Sequence, residues 1–199
     1  MLASGNAGKL RELSALLAPL RLELLTQDSR GIRAAEETGD TFLDNALLKA
    51  RHAARMAALP ALADDSGLEV AALGGRPGVR SARYAGDNAS DSQNLALLVR
   101  ELAGVPEGRR AAHYQCVIVF VRSWDDPAPL IAHGSWEGAI ARDSRGTGGF
   151  GYDPVFVPAG GARTAAELSP AEKNQASHRG KALRALIAML TAPGYIPAP

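Results

Sequence analysis

The sequence is poor in several features that would point to particular classes of protein. It has one cysteine, Cys116, in 199 residues, so no disulfide can form within the chain. Its 22 lysines and arginines nearly balance its 21 aspartates and glutamates, so the net charge gives no sign of binding to nucleic acid or an anionic membrane, although it leaves room for a local cationic pocket. No stretch resembles a signal peptide or a membrane span. The composition therefore predicts neither a nucleic-acid partner nor a membrane partner.

The sequence also lacks signs of division into several domains. No proline- or serine-rich linker, no run of like charge and no internal repeat interrupts it. Because 199 residues can bury a sizeable core, we expect one compact α/β domain over residues 1–192 and a loose tail at 193–199. Cys116 lies in an apolar, strand-like run, where we expect it to pack in the core of a protein in the reducing cytoplasm.

Hydrophobic spacing predicts helices and strands in alternation, which together favour a mixed central β-sheet flanked by helices. The helices are predicted at 10–20, at 42–59 with Asp40 or Thr41 as N-cap, at 91–103, from Pro170, and after Ser177 as N-cap. The strands are predicted at 2–4, 22–25, 62–70 in two pieces, 113–121, 130–132 and 136–141, the last three as an antiparallel meander.

The run LADDSGLEV at residues 62–70 places two aspartates and a serine between apolar residues on both sides. We interpret it as a strand, a polar break at which Gly67 permits either a sharp turn or a close approach to a ligand, and a second strand. Adjacent side chains of an extended chain point to opposite faces. One of Asp64 and Asp65 can therefore face a cleft and bind a hard cation or activate water, while the other is held by hydrogen bonds. A simple turn is the alternative interpretation.

Two further stretches carry groups suited to anions and cations. GNAGK at residues 5–9 joins a strand to a helix, whose first N–H groups could bind an anion beside Lys9, although its spacing is not that of a Walker A loop and an ordinary turn is the alternative. Glu36 and Glu37 lie in an acidic loop, where they serve either as metal ligands or only as solvated charges. Asn45, Lys49 and Arg51 are the polar residues to examine on the helix that follows.

The last two polar stretches suit a flat ligand. GTGGFGYDP at residues 146–154 contains too many glycines for a well-packed strand. It favours a loop whose backbone lies against a planar group while Phe150 stacks on it, with a glycine-rich hairpin end as the alternative. His178 and Arg179 stand at a predicted helix start, where they are either structural or read a carbonyl on a purine.

Five separated motifs together resemble, in order, the inosine triphosphate pyrophosphatase family of XTP/dITP diphosphatases. They are SGNAGK, EETGDTFLDNALLKA, ADDSG, GTGGFGYDP and SHRGKAL. The resemblance covers the chain from Ser4 to about Leu190. It implies hydrolysis of ITP, XTP and dITP to the monophosphate and pyrophosphate, Mg²⁺ as cofactor, a homodimer, and an elongated two-lobed α/β domain with a central substrate cleft.

The resemblance also implies roles for individual residues. Asp65 would bind Mg²⁺ and orient or deprotonate the attacking water, with Glu36 or Glu37 completing the metal site and Glu36 slightly preferred. The residues implied to bind the triphosphate are Ser4, Gly5, Asn6, Ala7, Gly8 and Lys9, with Lys49 and Arg83 as secondary candidates. Those implied to contact the base or the rest of the substrate are Ser66, Phe150, Gly151, Tyr152, Asp153, Lys173, His178 and Arg179. The segment before Ser4 is shorter than in the family, so we expect a frayed first strand or a chain start that lacks a few residues.

Two other functions compete with this prediction. A Maf-like pyrophosphatase would act on dTTP, UTP or modified pyrimidine nucleotides, but the His178–Arg179 pair and the GGFG sequence argue against it. A nucleotide sensor without catalysis would not need to keep Lys9, Asp65 and an acidic pair.

Overall fold

The computed structural model describes residues 1–20 and 22–192, and the predicted tail at 193–199 lies outside them. Its helices are α1 (Ala7–Leu17), α2 (Phe42–Ala57), α3 (Asp91–Glu101), α4 (Pro170–Ala176) and α5 (His178–Leu190). Its strands are β1 (Ala61–Val70), β2 (Ala111–Val121), β3 (Leu130–Ile140) and β4 (Phe156–Pro158). In the described part of the chain, no helix is long and apolar enough to cross a membrane.

The four strands form one sheet in the order β1-β2-β3-β4. β3 and β4 are antiparallel, with Gly138 opposite Pro158 and Ile140 opposite Phe156. Leu2 adds parallel bridges to Leu62 of β1 and to Thr26. The combination of both pairing directions with the helices confirms the predicted mixed α/β fold.

β1 runs without interruption through Asp64, Asp65 and Gly67. The predicted polar break and the turn at Gly67 are therefore wrong. A strand can contain two adjacent buried carboxylates when each finds charged partners on its own face, and both aspartates do so here. The segments predicted at 130–132 and 136–141 likewise join into the single strand β3.

The predicted strand at 22–25 is not formed, and residues 2–4 contribute only the bridges of Leu2. Leu22 is 54 % exposed, whereas Leu24 is half-buried and packs against the core, so the run is only partly buried. The structure shows here only a bridge between Leu2 and Thr26, with a hydrogen bond of 2.7 Å from the Leu2 N–H to the Leu25 carbonyl.

The starts of α2 and α4 lie at the predicted residues. Thr41, and not Asp40, is the N-cap of α2, since its Oγ1 accepts from the Asp44 N–H at 3.1 Å. Ser169 caps α4, with Pro170 at the first helical position as predicted. Ser177 directly precedes α5 and also ends α4.

Contacts group the described chain into two compact units. The first unit contains residues 1–65, 116–134 and the described residues from 179, and the second contains 66–115 and 135–178. In the first unit, the buried alanines of α2, including Ala46, Ala50 and Ala53, pack with Val117 and Val119 of β2. Small side chains on this face of α2 allow a close approach to the sheet.

Cys116 is buried in a second apolar cluster of the first unit. Burial raises the pKa of its thiol to about 12, which keeps the thiol protonated and unreactive. The predicted core position of Cys116 is confirmed.

Arg110 provides a test of the fold of the second unit. Only 2 % of it is exposed, and its guanidinium donates to the carbonyls of Leu102, Val105 and Ala141 at 2.7, 3.0 and 3.3 Å. An Arg110→Met change leaves these carbonyls without their donor, so we expect the free energy of unfolding to fall by about 3 kcal/mol. Urea titration measures this loss. The exposed neighbour Arg109, changed to Met, should cost less than about 0.5 kcal/mol; equal losses would contradict the account.

Candidate active site

Asp64 is held as a fixed, ionised carboxylate. It is 1 % exposed, and its Oδ2 lies 3.1 Å from Nζ of Lys9 and 3.2 Å from Nε of Arg179. Arg179, which is itself fully buried, also pairs with Glu12 of α1. Burial alone would raise the pKa of Asp64, but the positive charges of Lys9, Arg179 and Lys49 outweigh it and hold the pKa below its ordinary value.

Asp65 occupies a different electrostatic environment. Its Oδ1 accepts from Nζ of Lys49 at 2.8 Å, and its Oδ2 accepts from the amide of Asn45 at 3.3 Å. Lys49 is shared with Glu37, whose Oε1 lies 2.8 Å from the same nitrogen. Burial raises the pKa of Asp65 more than the charges of Lys49 and Lys9 lower it, so the pKa stands above its ordinary value.

The two neighbouring aspartates therefore have pKa values shifted in opposite directions. A pair of carboxylates separated in this way has one member fixed as an anion and one suited to accept a proton. Asp65 is the member suited to accept one. The sequence left the choice between Asp64 and Asp65 to the family resemblance, and the electrostatics favour the same residue.

A divalent cation fits the carboxylates around Lys49. Among the described residues, no group of three or more His, Cys, Asp or Glu side chains could hold a metal by itself. Asp65 and Glu37 nevertheless converge on one ammonium group, which marks a place where positive charge is stabilised. A hard cation that keeps water and takes phosphate oxygens needs only one or two carboxylates. Glu36 is exposed whereas Glu37 is half-buried, so the geometry favours Glu37.

The predicted phosphate loop forms the start of α1. Asn6 is the N-cap, because its Oδ1 accepts from the Lys9 N–H at 3.0 Å. The Ser4 hydroxyl accepts from the Asn6 N–H at 3.2 Å. Gly5 and Ala7 are exposed and Gly8 is buried. This is the helix N-terminus expected from the sequence, with the side chain of Lys9 turned to Asp64.

In the second unit, Phe150, Asp153 and Lys173 form one cluster. Nζ of Lys173 lies 2.5 Å from Oδ2 of Asp153 and 4.7 Å from the centre of the Phe150 ring. Asp153 also accepts from the Phe150 N–H at 2.9 Å. A side chain at Gly149 would collide with this carboxylate, and its φ of +73° also favours glycine. Gly149 is thus required by the protein's own Asp153.

Two predicted base contacts are engaged elsewhere in the second unit. The Tyr152 hydroxyl donates to the Ser81 carbonyl at 2.8 Å, and Tyr152 is buried. The Gly151 N–H donates to Oδ2 of Asp91 at 2.8 Å. These contacts fix the loop that carries Phe150.

His178 lies in an aromatic stack. Its imidazole is parallel to the Tyr114 ring, with a centroid separation of 4.6 Å and an interplanar angle of 5°, and the Trp136 ring is stacked at a centroid separation of 6.4 Å. The stack fixes the plane of the imidazole within the second unit.

The sequence-predicted residues thus gather in two groups, one in each unit. Ser66 is half-buried on β1, and Arg83 is half-buried at the end of the short helix Gly78–Arg83.

The sequence analysis did not identify two residues that contact predicted site residues: Glu12, which pairs with Arg179, and Tyr114, which stacks on His178. Glu12 follows Lys9 by three residues, a spacing that places both on one face of α1 and could have drawn attention to it. Nothing in the sequence around Tyr114 marks it as a site residue, because an aromatic residue in a strand usually belongs to the hydrophobic core.

Carboxylates paired with lysines beside a helix N-terminus are the groups with which α/β enzymes bind phosphate and its cation. Residues 1–189 match the model of the Ham1 family, and the chain belongs to this family. This confirms the resemblance seen in the motifs.

Similar proteins span most of the chain. A dITP/XTP pyrophosphatase of Salmonella typhimurium is 54 % identical over 187 residues, which are 94 % of this chain and 95 % of that protein. The Escherichia coli K12 protein of the same name is 53 % identical over equal shares. A solved HAM1 protein from Coxiella burnetii has a TM-score of 0.87 at 51 % identity and covers 96 % of both chains. The Staphylococcus aureus Ham1 structure has a TM-score of 0.82 at 38 % identity, covering 95 % of this chain and 96 % of that one.

Proposed function

We propose that this protein is a nucleoside triphosphate pyrophosphohydrolase that converts dITP, XTP and ITP to the monophosphate and pyrophosphate, with Mg²⁺ as cofactor. The observation that carries the proposal is the pair of adjacent, buried aspartates with separate cationic partners, of which Asp65 is bound to Lys49. Membership of the Ham1 family and the names of the relatives support the substrate class.

The triphosphate is assigned to the start of α1. The helix N-terminus presents N–H groups that stabilise negative charge, and the exposed residues Gly5, Asn6 and Ala7 leave them open to a ligand. Lys9 can keep Asp64 as a partner and still bind a phosphate oxygen, because an ammonium group has three donors. Lys49 can share its charge in the same way.

Asp65 and Glu37 are the residues that would hold Mg²⁺. The ion, when bound with substrate, would neutralise part of the charge of the phosphate oxygens. Asp65 accepts a proton from the water molecule as its oxygen attacks the α-phosphorus. The new O–P bond forms as the bond from the α-phosphorus to the α–β bridging oxygen breaks, and pyrophosphate leaves with that oxygen. Such a reaction depends chiefly on positioning and charge stabilisation.

The base is assigned to the second unit, with Phe150 stacking on it and His178 reading its edge. A protein donor that bonds to the 6-oxo group of hypoxanthine or xanthine would face the 6-amino group of adenine, which is itself a donor, and would be left unpaired. Each unpaired donor costs about 1–3 kcal/mol, so His178 together with one or two backbone N–H groups would give a useful selection against adenine. Arg179 was implied to read the base as well, but its guanidinium lies between Asp64 and Glu12, and we assign it to holding Asp64.

Phe150→Ala should raise KM for ITP about tenfold while changing kcat by less than about threefold, because stacking of a base on an aromatic ring contributes about 1–3 kcal/mol. Steady-state kinetics with ITP checks this. Trp124 is an exposed aromatic residue of the first unit, and Trp124→Ala should leave both constants unchanged. An unchanged KM in Phe150→Ala would remove the stacking role.

Product analysis tests the proposed reaction. Phosphorus NMR of ITP incubated with the protein and Mg²⁺ should show IMP and pyrophosphate in equal amounts, and EDTA should stop their formation. Release of orthophosphate in place of pyrophosphate would contradict attack at the α-phosphorus. Nucleotide binding without any release would favour the sensor.

The homodimer and the cytoplasmic location are part of the proposal and stay predictions. Size-exclusion chromatography with light scattering should give twice the chain mass of 20.8 kDa.

A further inference from the structure

Asn45 is a buried amide whose hydrogen-bonding groups all have partners. It lies on α2 with 0 % of its surface exposed. Its Oδ1 accepts from the Gly39 N–H at 2.8 Å, and its Nδ2 donates to the Gly39 carbonyl at 3.2 Å and to Oδ2 of Asp65 at 3.3 Å. One side chain thus joins the acidic loop, helix α2 and strand β1.

The two oxygens of Asp65 are divided between two side chains of the same helix. Lys49 binds Oδ1 and Asn45 binds Oδ2. Residues four apart on a helix lie on one face, so two side chains of α2 donate hydrogen bonds to the two oxygens of the carboxylate. This arrangement fixes the plane of the carboxylate and not merely its position.

The same amide anchors the loop that carries Glu37. Gly39 follows Glu37 by two residues, and both its backbone polar groups bond to Asn45. A Cβ at position 39 would come within 2.6 Å of Cβ of Asp44 and 2.8 Å of Oδ1 of Asn45. Only glycine fits this close approach, and the contact therefore fixes the position of the nearby backbone of Glu37.

We propose that Asn45 is a positioning residue for the reaction: it orients the Asp65 carboxylate and sets the separation of Asp65 from Glu37. The inference rests on the role proposed above for Asp65. Misplacement of a reacting group by about 1 Å can cost about 100-fold in rate. Loss of Asn45 should therefore lower kcat about 30- to 100-fold. KM for ITP should stay within about threefold of the wild-type value, because the triphosphate is assigned to the start of α1 and the base to Phe150, and not to Asn45.

Asn94 offers a matched control in the second unit. It is also a buried helical asparagine, 2 % exposed. Its Oδ1 accepts from the Ala85 N–H at 2.8 Å and its Nδ2 donates to the Ala82 carbonyl at 3.1 Å. Asn94 thus repeats the loop-anchoring bonds of Asn45 without the bond to a carboxylate.

The experiment compares Asn45→Ala with Asn94→Ala in melting temperature, kcat and KM for ITP. We expect similar losses of thermal stability, a 30- to 100-fold lower kcat only in Asn45→Ala, and kcat within about threefold of wild type in Asn94→Ala. Titration of Mn²⁺ followed by electron paramagnetic resonance, with a non-hydrolysable ITP analogue present, supplies a second readout. The dissociation constant of Mn²⁺ should rise about tenfold in Asn45→Ala and stay unchanged in Asn94→Ala.

Asn45→Asp keeps the test valid if the alanine variant does not fold. The aspartate has nearly the same shape and can still accept from Gly39, while the donor that faces Asp65 becomes an oxygen. We expect a loss of kcat at least as large as in the alanine variant.

The outcomes separate the inference from the function on which it rests. If wild type releases no pyrophosphate from ITP, the proposed function fails. If wild type is active and the folded Asn45 variants keep kcat within threefold of Asn94→Ala, or change only KM, the inference is overturned and Asn45 is structural.

Discussion

Asp65→Asn is expected to lower kcat for ITP by about 10³-fold or more, since general acid–base catalysis alone contributes about 10²–10⁴-fold and a carboxylate proposed to hold the cation is lost as well. The amide has the size of the carboxylate and can still bond to Lys49 through its oxygen. It cannot accept the proton of water. Burial has raised the pKa of the Asp65 carboxyl, and asparagine has no equivalent group.

Binding should survive this substitution, because the start of α1 and Phe150 are untouched. The dissociation constant of a non-hydrolysable ITP analogue, measured by calorimetry with Mg²⁺ present, should change by less than about tenfold. Asp125 is an exposed aspartate of the same unit, and Asp125→Asn should keep wild-type turnover. Rapid pyrophosphate release by Asp65→Asn would refute the catalytic assignment.

Arg179→Met is expected to lower the free energy of unfolding by about 3–5 kcal/mol, the usual cost of breaking a buried ion pair by removing one partner. Methionine fills part of the volume but leaves Asp64 and Glu12 without the guanidinium that both contact. Lys9 stays beside Asp64 and limits the loss. Urea titration at neutral pH measures it.

The pH dependence of that loss has a defined sign. The positive charges hold the pKa of Asp64 below its ordinary value, so their stabilising contribution is present above that value and fades as the pH falls through the folded-state pKa. Removal of Arg179 moves the Asp64 pKa up, so the difference between variant and wild type should shrink on acidification. Arg184 is exposed on the same helix, and Arg184→Met should cost less than about 1 kcal/mol. A similar loss in both variants would contradict the buried network.

The alternation of side chains along a strand is enough to predict, from the sequence, that Asp64 and Asp65 have separate roles. It does not predict that β1 continues through both. The partner that allows this, Arg179, lies 115 residues away in sequence, and a local pattern contains no information about such a contact. The sequence predicts a turn at Gly67 because the polar, glycine-containing run lies between two apolar stretches.

The glycines of residues 146–151 show a different limit. The sequence correctly predicted a loop rather than a strand, because glycine packs poorly in a sheet. The sequence left open whether the glycines serve a flat ligand or form a hairpin end, and at Gly149 the structure shows Asp153 of the protein itself as the close neighbour. The choice between Glu36 and Glu37 was also open in the sequence, since only the fold shows which of two adjacent loop residues reaches Lys49.

The most direct test of the account is kcat/KM for pyrophosphate release from ITP, XTP and dITP beside ATP, GTP and dTTP, each with Mg²⁺. We predict values for ITP, XTP and dITP that exceed the value for ATP by about 100-fold or more, because the 6-amino group of adenine would leave roughly two donors unpaired at about 1–3 kcal/mol each. A preference for dTTP, or equal values for ITP and ATP, would contradict it.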